Sequence, residues 1–179
     1  MKNEADGNDA VDEILRQWSV ERPDLDVSAM GVFGRLSRAA RMLGRSLAQT
    51  FGRYGLNGGE FDVLATLRRA GGPYGLTPTD LYRSMMLSSA AMTNRIDRLE
   101  ERGLVAREPD PDDRRGVRIR LTNEGFELID GAVTAHVEGE ERLLAALSEE
   151  ERQHLAELLG KLMLSMQARQ QTETHIADS

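Results

Sequence analysis

The chain has 179 residues, no cysteine and a net charge of -7. It is long enough to bury a core, and the lack of thiols excludes disulfides, thiolate metal sites and cysteine-based peroxide sensing. No apolar run approaches the roughly 18 residues of a membrane span, and the acidic, polar start from Met1 to Asp12 does not read as a signal peptide, so a reducing, cytoplasmic setting with no membrane partner is expected.

Residues 1–9 read as a disordered tail. Val11, Ile14, Leu15 and Trp18 then form a helical stripe over about Ala10 to Val20, which ends before Pro23. A longer helix follows from Ser28 to about Gly52, with Val32, Phe33, Leu36, Leu43 and Leu47 on one broad face; Gly55 closes the link after it. Asn57 with Glu60 has the form of a capping box, opening a helix through Phe61, Leu64 and Leu67 that stops at Gly71-Gly72-Pro73. Thr77-Pro78-Thr79-Asp80 supplies an N-cap, a first-turn proline and an acid for a short helix ending near Ser84. The next helix begins at Ser88 or Ser89 and runs to Arg102, closed by Gly103. Two strands, Leu104 to Glu108 and Val117 to Leu121, flank the charged loop 109–116. Thr122 and Ser148 cap two further helices, the last carrying Leu155, Leu158, Leu159, Leu162 and Met166. From Gln167 the chain turns polar, and 171–179 reads as a second disordered tail. Residues 10–57, 58–121 and 122–170 thus form N-terminal helices, a central module and C-terminal helices.

Charge is segregated in the same way. Residues 1–27 carry a net -5, residues 28–121 a net +6 and residues 122–179 a net -8, and nearly all the basic side chains are arginine. Only the middle suits a polyanion. Two short helices, a turn and a basic-tipped hairpin form a winged helix-turn-helix, in which the second helix enters the major groove of double-stranded DNA. At 100° per residue, Met92, Ile96 and Leu99 share one side of that helix and Ala90, Asn94 and Asp97 fall opposite, flanked by Thr93 and Arg98. Such a small, polar side approaches base edges closely, Asn94 suiting adenine and Thr93 a methyl group, while Ser88 and Ser89 stand where phosphate meets a helix N-terminus. An ordinary solvated helix face has the same composition. At the hairpin tip an arginine, Arg114 or Arg115, can enter a narrow minor groove, and Asp113 can hold Arg115 in position.

The run from Leu76 to Gly125 contains Leu-Thr-Pro-Thr-Asp-Leu, Leu-Glu-Glu-Arg-Gly-Leu-Val, Asp-Pro-Asp-Asp-Arg-Arg and Leu-Thr-Asn-Glu-Gly. It resembles the multiple-antibiotic-resistance regulator family. The resemblance implies a mainly α fold with a small β-wing, a winged helix-turn-helix with a helical dimerisation layer, acting as a homodimer on palindromic DNA. It also implies that Ala90 to Arg98 read the major groove and Arg115 the minor groove.

Arg95 stands at the edge of the buried side of the same helix. A half-buried guanidinium needs a partner, and Asp62, out of place among apolar neighbours, offers one; Arg107 on the first strand could complete an ionic cluster. A structural ion pair and a ligand site both fit those residues. The extra N-terminal helix, the Phe-Asp-Val-Leu segment and the run Ser-Ser-Ala-Ala-Met-Thr-Asn-Arg-Ile-Asp-Arg-Leu-Glu resemble the urate-responsive branch of the family. That resemblance implies a site for urate or a related purine formed by Trp18, Asp62, Arg95 and Arg107, and release of DNA when the anion takes Arg95. A phenolic carboxylate is the rival effector, and a helical interaction module without DNA binding is the alternative from another class. No nucleophile, metal cluster or phosphate loop accompanies these residues, so neither catalysis nor a cofactor is expected.

Overall fold

The computed structural model describes residues 8–73, 75–85, 92–111, 113 and 116–177, the last five by their backbone alone. The elements are α1 (Ala10–Glu21), α2 (Ser28–Gly52), α3 (Gly58–Arg69), β1 (Gly75–Leu76), α4 (Pro78–Ser84), α5 (Met92–Glu101), β2 (Val105–Pro109), β3 (Val117–Leu121), α6 (Asn123–Leu143) and α7 (Glu149–Ala177). The chain divides into two compact units, Met1–His136 and Val137–Ser179.

Local signals start and stop these helices. Asn57 accepts the N–H groups of Gly59 and Glu60, both at 3.0 Å, while the Glu60 carboxylate accepts the Asn57 N–H at 3.0 Å, a closed capping box at the start of α3. Thr77 caps α4 with Pro78 in the first turn. Gly103 takes φ of 69°, and the N–H groups of Gly103 and Leu104 reach back to the Glu100 and Leu99 carbonyls at 2.8 and 2.9 Å, so α5 ends in a Schellman turn. Asp9, read from the sequence as tail, instead caps α1. Helix α7 continues to Ala177, past the expected onset of the tail, because its polar residues sustain a helix and no Gly or Pro interrupts them.

One core sits in the first unit. Leu64, Leu67, Leu81, Leu99, Ile119 and Ile129 are fully buried, so α3, α4, α5, β3 and α6 all meet there. The sheet has three strands in the order β1-β3-β2, both pairings antiparallel. The sequence reading contained only the hairpin; β1 is two residues long, too short to show alternation. Helix α6 is pinned to the turn after α5: Thr122 donates its N–H to the Leu104 carbonyl at 3.2 Å and its hydroxyl to the Gly103 carbonyl at 2.7 Å. A Cβ on Gly125 would fall 1.9 Å from the Leu104 oxygen, so only glycine lets the first turn of α6 come this close.

Helix α1 lies on the first half of α2. Val11 packs on Gly34 and Leu15 on Gly31, and Arg35 grips the acidic start of α1, pairing with Asp9 at 2.9 Å and Asp12 at 2.6 Å. In the second unit, Arg152 of α7 pairs with Glu141 at 3.0 Å and donates to the carbonyls of Leu144 and Leu147. None of the described helices is long and apolar enough to cross a membrane.

Candidate nucleic-acid interface and effector site

Helix α5 has two unlike sides. Ile96 and Leu99 are buried and Met92 packs against the same core, which turns Thr93, Asn94 and Arg98 out to solvent. Ser88, Ser89 and Ala90, expected ahead of them on this helix, and Arg114 and Arg115, expected at the wing tip, lie outside the described residues.

The wing is built from β2 and β3, with Val105 opposite Leu121 and Pro109 opposite Val117. Asp113 is exposed near the tip, and its carbonyl accepts the Gly116 N–H at 2.8 Å. Asp110 is buried at the root of the loop, where it pairs with Arg118 at 3.0 Å and donates its N–H to the Gly116 carbonyl at 3.0 Å. With the carboxylate buried and the arginine half-buried, this brace fixes the root of the loop. Sequence reasoning passes over both residues, since each reads as a solvated charge; their only signal is position, one at either end of the charged loop.

Three arginines hold α5 in place. Arg95 and Arg102, seven residues and about two turns apart, share a face, and both reach the start of α3. Arg102 donates to the Gly55 carbonyl at 3.0 Å and stands 3.6 Å from the buried Glu60 carboxylate. Arg95 lies directly on Gly59: a Cβ there would fall 2.4 Å from its Nε and 2.6 Å from its Cζ. Asp62 is 6% exposed and sits one helical turn beyond Gly59, on the same face of α3. The structure therefore brings Arg95 to the part of α3 that carries Asp62. The guanidinium and the positive end of the α3 dipole favour an anion at this place, against the buried carboxylates of Glu60 and Asp62 in the same two turns.

Arg107 goes elsewhere. Its guanidinium is taken by Asp97, at 2.5 Å, and by Glu100, both on α5, so it does not complete a cluster with Asp62 and Arg95. The hydrogen bond to Asp97, followed by the charges of Glu100 and Asp97, raises its pKa above the ordinary arginine value. Asp97 lies 200° around the helix from Arg95, on another flank. Trp18 is also apart. With Leu15 on Gly31, one more turn of α1 brings Trp18 level with the start of α2, whereas Gly59 follows its far end. At 1.5 Å per residue, α2 separates the two within one chain by about 30 Å. Trp18 is 40% exposed there. Among the described residues no group of His, Cys, Asp and Glu could hold a metal ion.

Comparison with known proteins agrees with this geometry. The MarR family model matches residues 54–116. The HTH-type transcriptional regulator PecS of Dickeya dadantii (strain 3937) is 47% identical over 152 residues, covering 85% of this chain and 92% of its own length. The fold is similar to that of Sco3205, a MarR family transcriptional regulator from Streptomyces coelicolor solved in complex with DNA: TM-score 0.70, 25% identity, 80% of this chain and 90% of that one. It is also similar to Bordetella bronchiseptica BpsR, in a structure addressing regulation of its DNA binding by 6-hydroxynicotinic acid: TM-score 0.65, 29% identity, 74% of this chain and 92% of that one. These relatives are transcription regulators, not enzymes.

Proposed function

The chain belongs to the MarR family of DNA-binding transcriptional regulators, and from that premise we propose that it is a homodimeric repressor released from palindromic promoter DNA by urate or a related purine. The observation that carries this reading is the seat of Arg95. A guanidinium on the DNA-facing helix would be an ordinary surface charge; here it rests on Gly59 in the first turn of α3, one turn before the buried Asp62. One side chain then belongs both to the helix that reads DNA and to a place suited to an anion.

Thr93, Asn94 and Arg98, with Ser88, Ser89 and Ala90, meet the major groove in this reading, and Asp113, Arg114 and Arg115 form the wing contact. A planar anion that takes the Arg95 guanidinium and is repelled by Asp62 lifts α5 from its seat. The ligand shifts the equilibrium only by its differential affinity for the two helix positions. Homodimerisation is supported by the apolar side chains Met30, Val32, Phe33 and Leu36, which α2 leaves exposed, and by Leu155, Leu158 and Leu164, which α7 leaves exposed. Trp18 enters the effector site only if the second protomer brings it there.

A second reading, with an aromatic carboxylate as effector, is favoured by the BpsR relative, whose DNA binding is linked to 6-hydroxynicotinic acid. Titration of urate, xanthine and salicylate separates the two, with DNA release followed by anisotropy and binding by calorimetry. Urate and xanthine should release DNA at lower concentration than salicylate, and Arg95→Ala and Asp62→Ala should lose the response. Release by salicylate alone would replace the purine with a carboxylate, and unaltered responses in both variants would remove the site.

A further inference from the structure

We infer that Arg107 is a positioning residue for DNA reading, a clasp that ties the wing strand β2 to the acidic flank of α5 so that helix and wing meet the duplex as one body. The inference rests on the reading of α5 as the groove-entering helix. Arg107 stands at mid-strand, opposite Ile119 of β3, and reaches sideways to α5. One guanidinium nitrogen bonds Asp97 at 2.5 Å, the other bonds Glu100, and the Arg107 N–H donates to the Glu100 carboxylate at 3.3 Å. The clasp thus engages both the side chain and the backbone of the wing.

Its place along the helix gives it consequence for DNA. Asp97 lies one turn beyond the exposed Asn94, and Glu100 one turn beyond Asp97, so the row that begins with a base-reading candidate continues as two carboxylates. Unneutralised carboxylates on that row would face the phosphates of the bound duplex and oppose association. Arg107 neutralises them and uses them as a handle. The helix is then held from two sides, by its own Arg95 and the following Arg102, which reach the start of α3, and by Arg107 of the wing.

A double-mutant cycle on the full-length protein tests this, with a palindromic duplex obtained by selection from random-sequence DNA. Arg107→Ala should raise the Kd for that duplex about tenfold, and Arg107→Lys should stay within about threefold because the cation remains. In an Asp97→Asn/Glu100→Gln background, Arg107→Ala should cost less than about twofold, since its partners are already neutral. The urate concentration for half-release should match wild type in Arg107→Lys, and Asn94→Ala should weaken binding. Equal losses in both backgrounds would mean that Arg107 touches DNA itself and would overturn the clasp. Wild-type affinity in Arg107→Ala with weakened Asn94→Ala would overturn it while sparing the α5 reading; wild-type affinity in both would overturn that reading as well.

Discussion

Gly59→Ala should weaken DNA binding without weakening the fold. The added methyl carbon would stand 2.4 Å from the Arg95 Nε and 2.6 Å from its Cζ, about 1 Å inside ordinary van der Waals contact. Overpacking of this kind typically costs about 1–3 kcal/mol if the intruded group stays in place. Arg95 can avoid that cost by leaving its seat, because its guanidinium is the end of a flexible side chain. Alanine in the first turn of α3 is itself a better helix former than glycine, by up to about 1 kcal/mol. Stability should therefore hold or rise while α5 loses one of its anchors. If the anchor is worth about 1–2 kcal/mol in the DNA-bound state, the Kd for operator DNA rises by a factor of about 5–30. Urea denaturation and fluorescence anisotropy on the same sample read the two quantities. Arg95→Ala added to Gly59→Ala should then change little, as the contact is already gone. Wild-type DNA affinity in Gly59→Ala, or a large further loss on removing Arg95, would refute the idea that this seat sets the helix.

Gly125→Ala should act on the fold instead: its Cβ meets a backbone oxygen 1.9 Å away, and the loss, about 2–4 kcal/mol from overpacking and a strained Thr122–Leu104 hydrogen bond, should appear in the urea midpoint. A change under about 0.5 kcal/mol would mean that the first turn of α6 can slide. Arg115→Ala should weaken binding and lower the slope of log K against log salt by about 0.9 for each wing, about 1.8 for the homodimer, and an unchanged slope would take Arg115 off the phosphates and grooves. Below the ordinary Asp range the hold of Arg35 on the start of α1 should weaken. The hydrogen bond from Arg35 holds the Asp12 carboxyl below its usual value of 3.8, so its contribution is complete above that value and is lost as pH falls through the lower, folded one. Trp18 fluorescence should change on acidification from pH 5 to pH 2 in wild type and show no such step in Arg35→Ala.

Much of the fold was legible because its signals are local. The Asn57–Glu60 box, Thr77-Pro78, Gly103, Thr122 and Ser148 each act within one helical turn, and each performs the expected cap or stop. Strand β1 was not legible, since two residues carry no period and gain their identity only from Ile119 and Arg120 opposite. The candidate site divides along the same line. The edge position of Arg95 follows from angular spacing on one helix, and the oddity of Asp62 from its apolar neighbours. The partnership of Arg107 with Asp97 and Glu100 depends on how β2 docks beside α5, and the distance of Trp18 from Gly59 depends on which half of α2 receives α1. Both are tertiary facts that no window of sequence contains. The same holds for Gly125, whose importance lies in the carbonyl of Leu104.

Arg95 is shared between DNA reading and anion binding in the proposed switch, and calorimetric titration of urate into the free protein and into its complex with operator duplex measures that sharing. Affinity for urate should fall at least about tenfold in the complex, by the same factor as urate weakens DNA, because the coupling is reciprocal. Equal affinity in the two states would contradict it.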